Sequence, residues 1–87
     1  MRFIKVNSAE QFPPSQTLMC MEEMSELQKE LCKHARGADN VRQIAEEIAD
    51  VRIMLDQMEL LHGCGVLVAD YEQVKLLRLE KRTEGKA

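Results

Sequence analysis

The sequence predicts an all-α domain: an antiparallel helical hairpin plus a third helix, completing a four-helix-bundle-like core by oligomerisation. Three observations carry that expectation. Apolar residues make up 45% of the chain but aromatics only 3%, so the packing mass sits in Leu, Ile, Val, Ala and six Met. Such a mixture suits helices meeting through aliphatic stripes better than a β-sandwich. Apolar positions recur at helical spacing, at Cys20, Met24, Leu27 and Leu31 and again at Ile44, Ile48, Val51 and Leu55. Finally, two Pro and four Gly leave few places to turn. With 87 residues the core is small, and a partner subunit is expected to complete it.

Residues 1–14 are expected to form an N-terminal arm, with a short apolar alternation at Phe3-Ile4-Lys5-Val6 ending at Pro13-Pro14. Residues 15–82 make up the helical domain. Ser15 is placed to cap a first helix that starts at Gln16 and runs to about Arg36, where Gly37 fits the left-handed position after a helix. Asp39 or Asn40 can cap the second helix, and Asn40 with Gln43 resembles a capping box. That helix reaches about His62 and breaks at Gly63-Cys64-Gly65. A third amphipathic stretch spans Val66 to about Arg82, and residues 83–87 form a tail expected to fray.

Charge narrows the function classes. The net charge of −3 conceals a local −5 over residues 22–59, where ten acids face five bases, and a local +1 over residues 70–87. An acidic centre disfavours nucleic acid, which wants clustered Lys and Arg. Three cysteines without a disulfide spacing read as reduced thiols of a cytoplasmic protein. Neither a leader nor a membrane partner is expected.

The first two helices repeat one another. The second stripe follows the first by twenty-four residues, and at the same offset Glu22-Glu23-x-x-Glu26 becomes Glu46-Glu47-x-x-Asp50. At about 100° per residue the acids lie on the same rotational side of each stripe. In an antiparallel pair, equal rotational flanks share one side, and Glu23 with Asp50 and Glu26 with Glu47 are symmetric about the turn. Four carboxylates therefore converge at one height. Unneutralised, they would repel; oxygen-only ligation suits a hard cation, Mg²⁺ or Mn²⁺, with water and phosphate filling the remaining positions. The plain alternative is a solvated acidic face.

Other chemistries fit less well. A di-iron carboxylate site wants two Glu-x-x-His motifs, and only Glu59-Leu60-Leu61-His62 qualifies. Cys32-x-His34 and His62-x-Cys64 make a nominal zinc set, but the second helix holds the two pairs roughly 40 Å apart. There is no nucleophile elbow and no phosphate-binding glycine loop. Met19, Met54, Leu60 and Leu61 fall off the main stripes and are expected to be exposed in a monomer, as an oligomer interface requires.

The words Met21-Glu22-Glu23-Met24-Ser25-Glu26-Leu27 and Glu46-Glu47-Ile48-Ala49-Asp50-Val51 resemble the paired signature of the MazG-like all-α nucleoside triphosphate pyrophosphatases. Val74-Lys75-Leu76-Leu77-Arg78-Leu79 with Arg82 is similar to that family's closing basic helix. The likeness covers about residues 16–82 and is greatest to the short single-module phage and bacterial type. It implies hydrolysis of a nucleoside triphosphate between the α- and β-phosphates, to the monophosphate and pyrophosphate. By position it implies that Glu23, Glu26, Glu47 and Asp50 hold Mg²⁺ and act catalytically. Glu22 and Glu46 would support them or act as the base, Lys75 and Arg78 would meet the phosphates, and Gln16 would lie near the nucleotide. It also implies a homodimer or homotetramer with sites between subunits. Two readings stand beside it: a phosphoribosyl-ATP pyrophosphohydrolase, or a non-catalytic helical oligomerisation and nucleotide-sensing module.

Overall fold

The computed structural model describes residues 15–85, with side chains through Arg82. The expected N-terminal arm and its proline pair lie outside the described residues. Three helices follow in order: α1 Ser15–Ala35, α2 Val41–His62 and α3 Gly65–Gly85, with no strand among the described residues. The all-α expectation holds. Helix α1 starts at Ser15 itself, and α3 continues three residues past Arg82.

Both helix breaks are glycine-made, as the sequence expects. Gly37 has φ +103° and Gly63 has φ +59°, conformations that L side chains rarely adopt. After α1, the Gly37 N–H donates to the His34 carbonyl (2.9 Å) and the Ala38 N–H to the Lys33 carbonyl (3.1 Å). After α2, the Gly63 N–H reaches Leu60 O (3.3 Å) and the Cys64 N–H reaches Glu59 O (3.0 Å). Each end is a Schellman closure that satisfies carbonyls the helix would otherwise leave bare.

The start of α2 departs from the expected capping box. Asn40 occupies the cap position, but its side chain makes no capping hydrogen bond. Instead Nδ2 donates across the turn to the Glu30 carbonyl and to Glu30 Oε1, both at 2.9 Å. A cap would use Oδ1 as acceptor, and that atom has no hydrogen-bond partner; the amide is oriented by its Nδ2 contacts to Glu30 instead. The bond clamps the first turn of α2 onto the Glu30 side of α1.

Burial along the hairpin shows which faces meet. Helix α1 buries Gln16, Cys20 and Glu23, and α2 buries Met54 and Gln57. The apolar stripes were expected to form the seam, but four of their members, Met24, Leu31, Ile48 and Leu55, are exposed. The other four, Cys20, Leu27, Ile44 and Val51, are buried or half-buried, so each helix is turned partway from its stripe toward its acidic flank, with Glu23 buried and Glu47 and Asp50 half-buried. Met54, expected on the surface, is instead fully enclosed at 0% exposure. Met19 and Leu61 are half-buried, and of the four residues expected to be exposed only Leu60 is so.

The hairpin interior is consequently polar. Cys20 and Met54 are the buried apolar side chains among the described residues, against Gln16, Glu23, Asn40 and Gln57. Helix α3 touches α2 beyond the Gly63 corner and does not meet α1. The molecule measures 48 × 35 × 16 Å, and its least dimension is little more than one helix diameter of about 10–12 Å. The radius of gyration of 16.1 Å exceeds the roughly 12 Å of a compact chain this long. A single layer of helices does not close a core on itself. Among the described residues no helix is long and apolar enough to cross a membrane.

Candidate functional site

The carboxylates meet where the two inner helices are pressed together. Glu23 and Glu26, three apart on α1, share one flank of that helix, and Glu47 comes from α2 opposite them. Oxygen atoms of Glu23, Glu26 and Glu47 all lie within 4.8 Å of one another. Glu23 is buried, Glu47 half-buried and Glu26 exposed, so the group opens to solvent on the Glu26 side. Asp50 is half-buried one turn further along α2. It falls outside the tight group, yet its charge acts on both Glu23 and Glu47.

The electrostatics follow from crowding like charges in a partly dry seam. Glu47 is pushed up to about 7, first by burial, then by a hydrogen bond with Glu26 and by the charges of Glu26, Asp50 and Glu23. Glu23 is also raised, by burial first and then by Glu26 and Asp50. A carboxylate that holds its proton to neutral pH is one whose ionised form lacks a partner. Glu30, one helical repeat beyond Glu23, moves the opposite way because Asn40 donates to it, with help from Lys33 at 3.3 Å.

Several buried polar atoms have no hydrogen-bond partner: Glu23 Oε2, Glu47 Oε2, Gln16 Nε2, Gln57 Oε1 and Asn40 Oδ1. Leaving such an atom unpaired costs about 1–3 kcal/mol, so proteins keep few of them. Four of the five belong to the strip that carries the acids. Glu23 and Glu47 also belong to the group of three carboxylates, and carboxylate oxygens are the hard donors that Mg²⁺ or Mn²⁺ takes.

The remaining sequence candidates are placed as follows. Glu22 and Glu46 are exposed and outside the tight group, and the Ser25 hydroxyl donates to the Glu22 backbone carbonyl at 2.9 Å. Gln16 is buried on the same strip as Glu23. Lys75 and Arg78 are exposed on α3, which does not reach α1, so one chain does not bring them to the carboxylates. Cys32, His34 and His62 are exposed, Cys64 is half-buried, and none joins a metal-ligating group among the described residues. Cys20 is enclosed, and burial raises its thiol. Sequence reasoning missed Gln57. Its signal was present in the spacing, because Gln57 follows Asp50 by the same seven residues that separate Gln16 from Glu23.

Comparison of the chain with family models, with curated proteins and with solved structures finds no match in any of the three.

Proposed function

We propose that this chain hydrolyses a (deoxy)nucleoside triphosphate between its α- and β-phosphates, releasing the monophosphate and pyrophosphate, in the manner of the MazG-like enzymes its acidic motifs resemble. The observation that carries the reading is the approach of Glu23, Glu26 and Glu47 to within 4.8 Å of one another. Crowding of this kind raises the energy of the ionised seam, and a divalent cation offsets it.

Glu23, Glu26 and Glu47, with Asp50 behind them, would hold Mg²⁺, or Mn²⁺ in its place. A bound Mg²⁺ supplies charge for phosphate oxygens and lowers the pKa of a bound water. The protein's own contribution is position: helix–helix packing fixes the carboxylates before substrate arrives. A carboxylate not engaged with the metal, Asp50 or exposed Glu46 or Glu22, is available to orient the attacking water. Lys75 and Arg78 are suited to the phosphate tail as charge-assisted donors, but from a second copy of the chain.

Self-association into a dimer or tetramer is part of the proposal. The exposed Met24, Leu31, Val41, Ile48 and Leu55 share one side of the hairpin, and α3 exposes Leu67, Tyr71 and Val74. Apolar surface of this kind, on a one-layer chain, is what a second layer covers. The three cysteines are free thiols, in keeping with a cytoplasmic setting.

The test is pyrophosphate release from all common NTPs and dNTPs, and from phosphoribosyl-ATP, with Mg²⁺ or Mn²⁺. At least one nucleotide is expected to be turned over, with activity lost in Glu47→Gln and Asp50→Asn while helicity is kept. Full activity in either variant sinks the proposal. Nucleotide binding without any release from the panel would favour the sensing module instead.

A further inference from the structure

We infer that two copies of this chain pair through α3, antiparallel and in one register, about a two-fold axis between Lys75 and Leu76. The inference rests on the self-association proposed above and names the face that carries it; it does not depend on the carboxylate chemistry. Helix α3 is 21 residues long, yet every residue from Ala69 to Arg82 is exposed. Helices in water draw most of their stability from packing an amphipathic face, and among the described residues nothing covers this one.

Asp70, Val74, Leu77 and Lys81 follow one another at intervals of four, three and four residues. At about 100° per residue they fall within about 60° of one another, and the alternation is the spacing of a coiled-coil seam. Val74 and Leu77, at its centre, are 47% and 54% exposed. Leu67, also exposed, continues the seam three residues earlier. The half-buried Gly65 and Val68 lie on the opposite side of α3, so the turn back onto α2 leaves the seam open.

A charge at each end of an apolar seam sets the orientation and register of what it meets. Antiparallel about the midpoint between Lys75 and Leu76, Val74 meets Leu77 of the second copy and Asp70 meets its Lys81, each twice by symmetry. Parallel pairing would set Asp70 against Asp70 and Lys81 against Lys81, and like charges oppose it. The surrounding charges are sorted in the same sense. Residues 53–72 carry Asp56, Glu59, Asp70 and Glu72 with no Lys or Arg, whereas residues 73–82 carry Lys75, Arg78, Lys81 and Arg82 against Glu80 alone. Antiparallel contact lays each half against its opposite. Lys75 and Arg78 fall to one side of the seam, and the pairing does not use them.

The test is a charge swap, read by sedimentation equilibrium of the full chain with helicity followed by circular dichroism. Asp70→Lys and Lys81→Asp each turn two attractive pairs into repulsive ones, and should each weaken self-association by about tenfold. Both positions are exposed, so neither swap disturbs packing within the chain. The two variants mixed one to one, and the chain carrying both swaps, restore every opposite pair and should recover wild-type association. Single variants that associate as wild type does, or a mixture that recovers nothing, overturn the α3 pairing and leave the exposed stripe of the hairpin as the interface. A wild type that stays monomeric overturns self-association and the pairing together.

Discussion

Replacing Glu47 by Gln should raise the stability of the metal-free protein at alkaline pH, although it removes a group from the heart of the hairpin. Glu47 is raised from 4.5 to about 7 by burial and by Glu26, Asp50 and Glu23. A group whose folded pKa lies above its unfolded value stabilises fully below the unfolded pKa, and that contribution is lost as pH rises through the folded one. The wild type should therefore lose stability between pH 5 and pH 8, while Glu47→Gln, which cannot ionise there, loses less. At 1.36 kcal/mol per pKa unit the shift would be worth about 3 kcal/mol. Glu47 keeps contact with solvent, so screening and relaxation reduce this to about 1 kcal/mol, or a melting difference of roughly 4–8 °C for a domain of this size.

The assay is helical melting by circular dichroism at matched protein concentration, from pH 5 to 8, with chelator or with Mg²⁺. With chelator, the variant should overtake wild type near pH 8. With Mg²⁺ the order should reverse, because the metal displaces the proton and offsets the like charges. A variant that melts below wild type at pH 8 without metal, or pH slopes that coincide, would refute the picture of a carboxylate confined among like charges.

Other parts of the structure give their own expectations. Asn40→Ala removes two donor contacts to Glu30 and should cost about 1–2 kcal/mol in urea unfolding; no change would mean that the cross-turn clamp contributes nothing. Gly37→Ala meets no atom within 4 Å at its new Cβ, so its loss, about 1–2 kcal/mol, is conformational and should be absent in Gly37→D-Ala made by synthesis. Charging the exposed apolar side, with Ile48→Lys or Leu55→Lys, should dissociate the proposed dimer or tetramer in sedimentation while helicity persists. A wild type that sediments as a monomer would remove the reason for that surface. Mg²⁺ binding should tighten from pH 6 to pH 8 with proton release, measured by titration in buffers of different ionisation heat; a pH-independent affinity contradicts the raised Glu23 and Glu47.

Much of this was legible in the chain alone. Glycine at 37 and 63, where φ is positive, marked where the helices end, because glycine takes that conformation without the cost a Cβ brings. The repeated acids at one offset led to the expectation that Glu23, Glu26, Glu47 and Asp50 converge, since helical period and an antiparallel turn leave little freedom; three of them do, and Asp50 falls outside the tight group. Periodicity could not choose the face that turns inward. With 45% of the residues apolar, α2 carries aliphatic side chains on two sides, Met54 and Met58 on one and Ile48 and Leu55 on the other, and either could make a seam. Tertiary structure settled on a seam between the two: Cys20, Glu23, Leu27, Ile44, Glu47, Val51 and Met54 are buried or half-buried along it, while Met24, Leu31, Ile48 and Leu55 stay outside, and the Asn40–Glu30 hydrogen bonds pin its turn end. A local pattern specifies where a helix begins and which residues share a side; only contact across the turn specifies which side is buried.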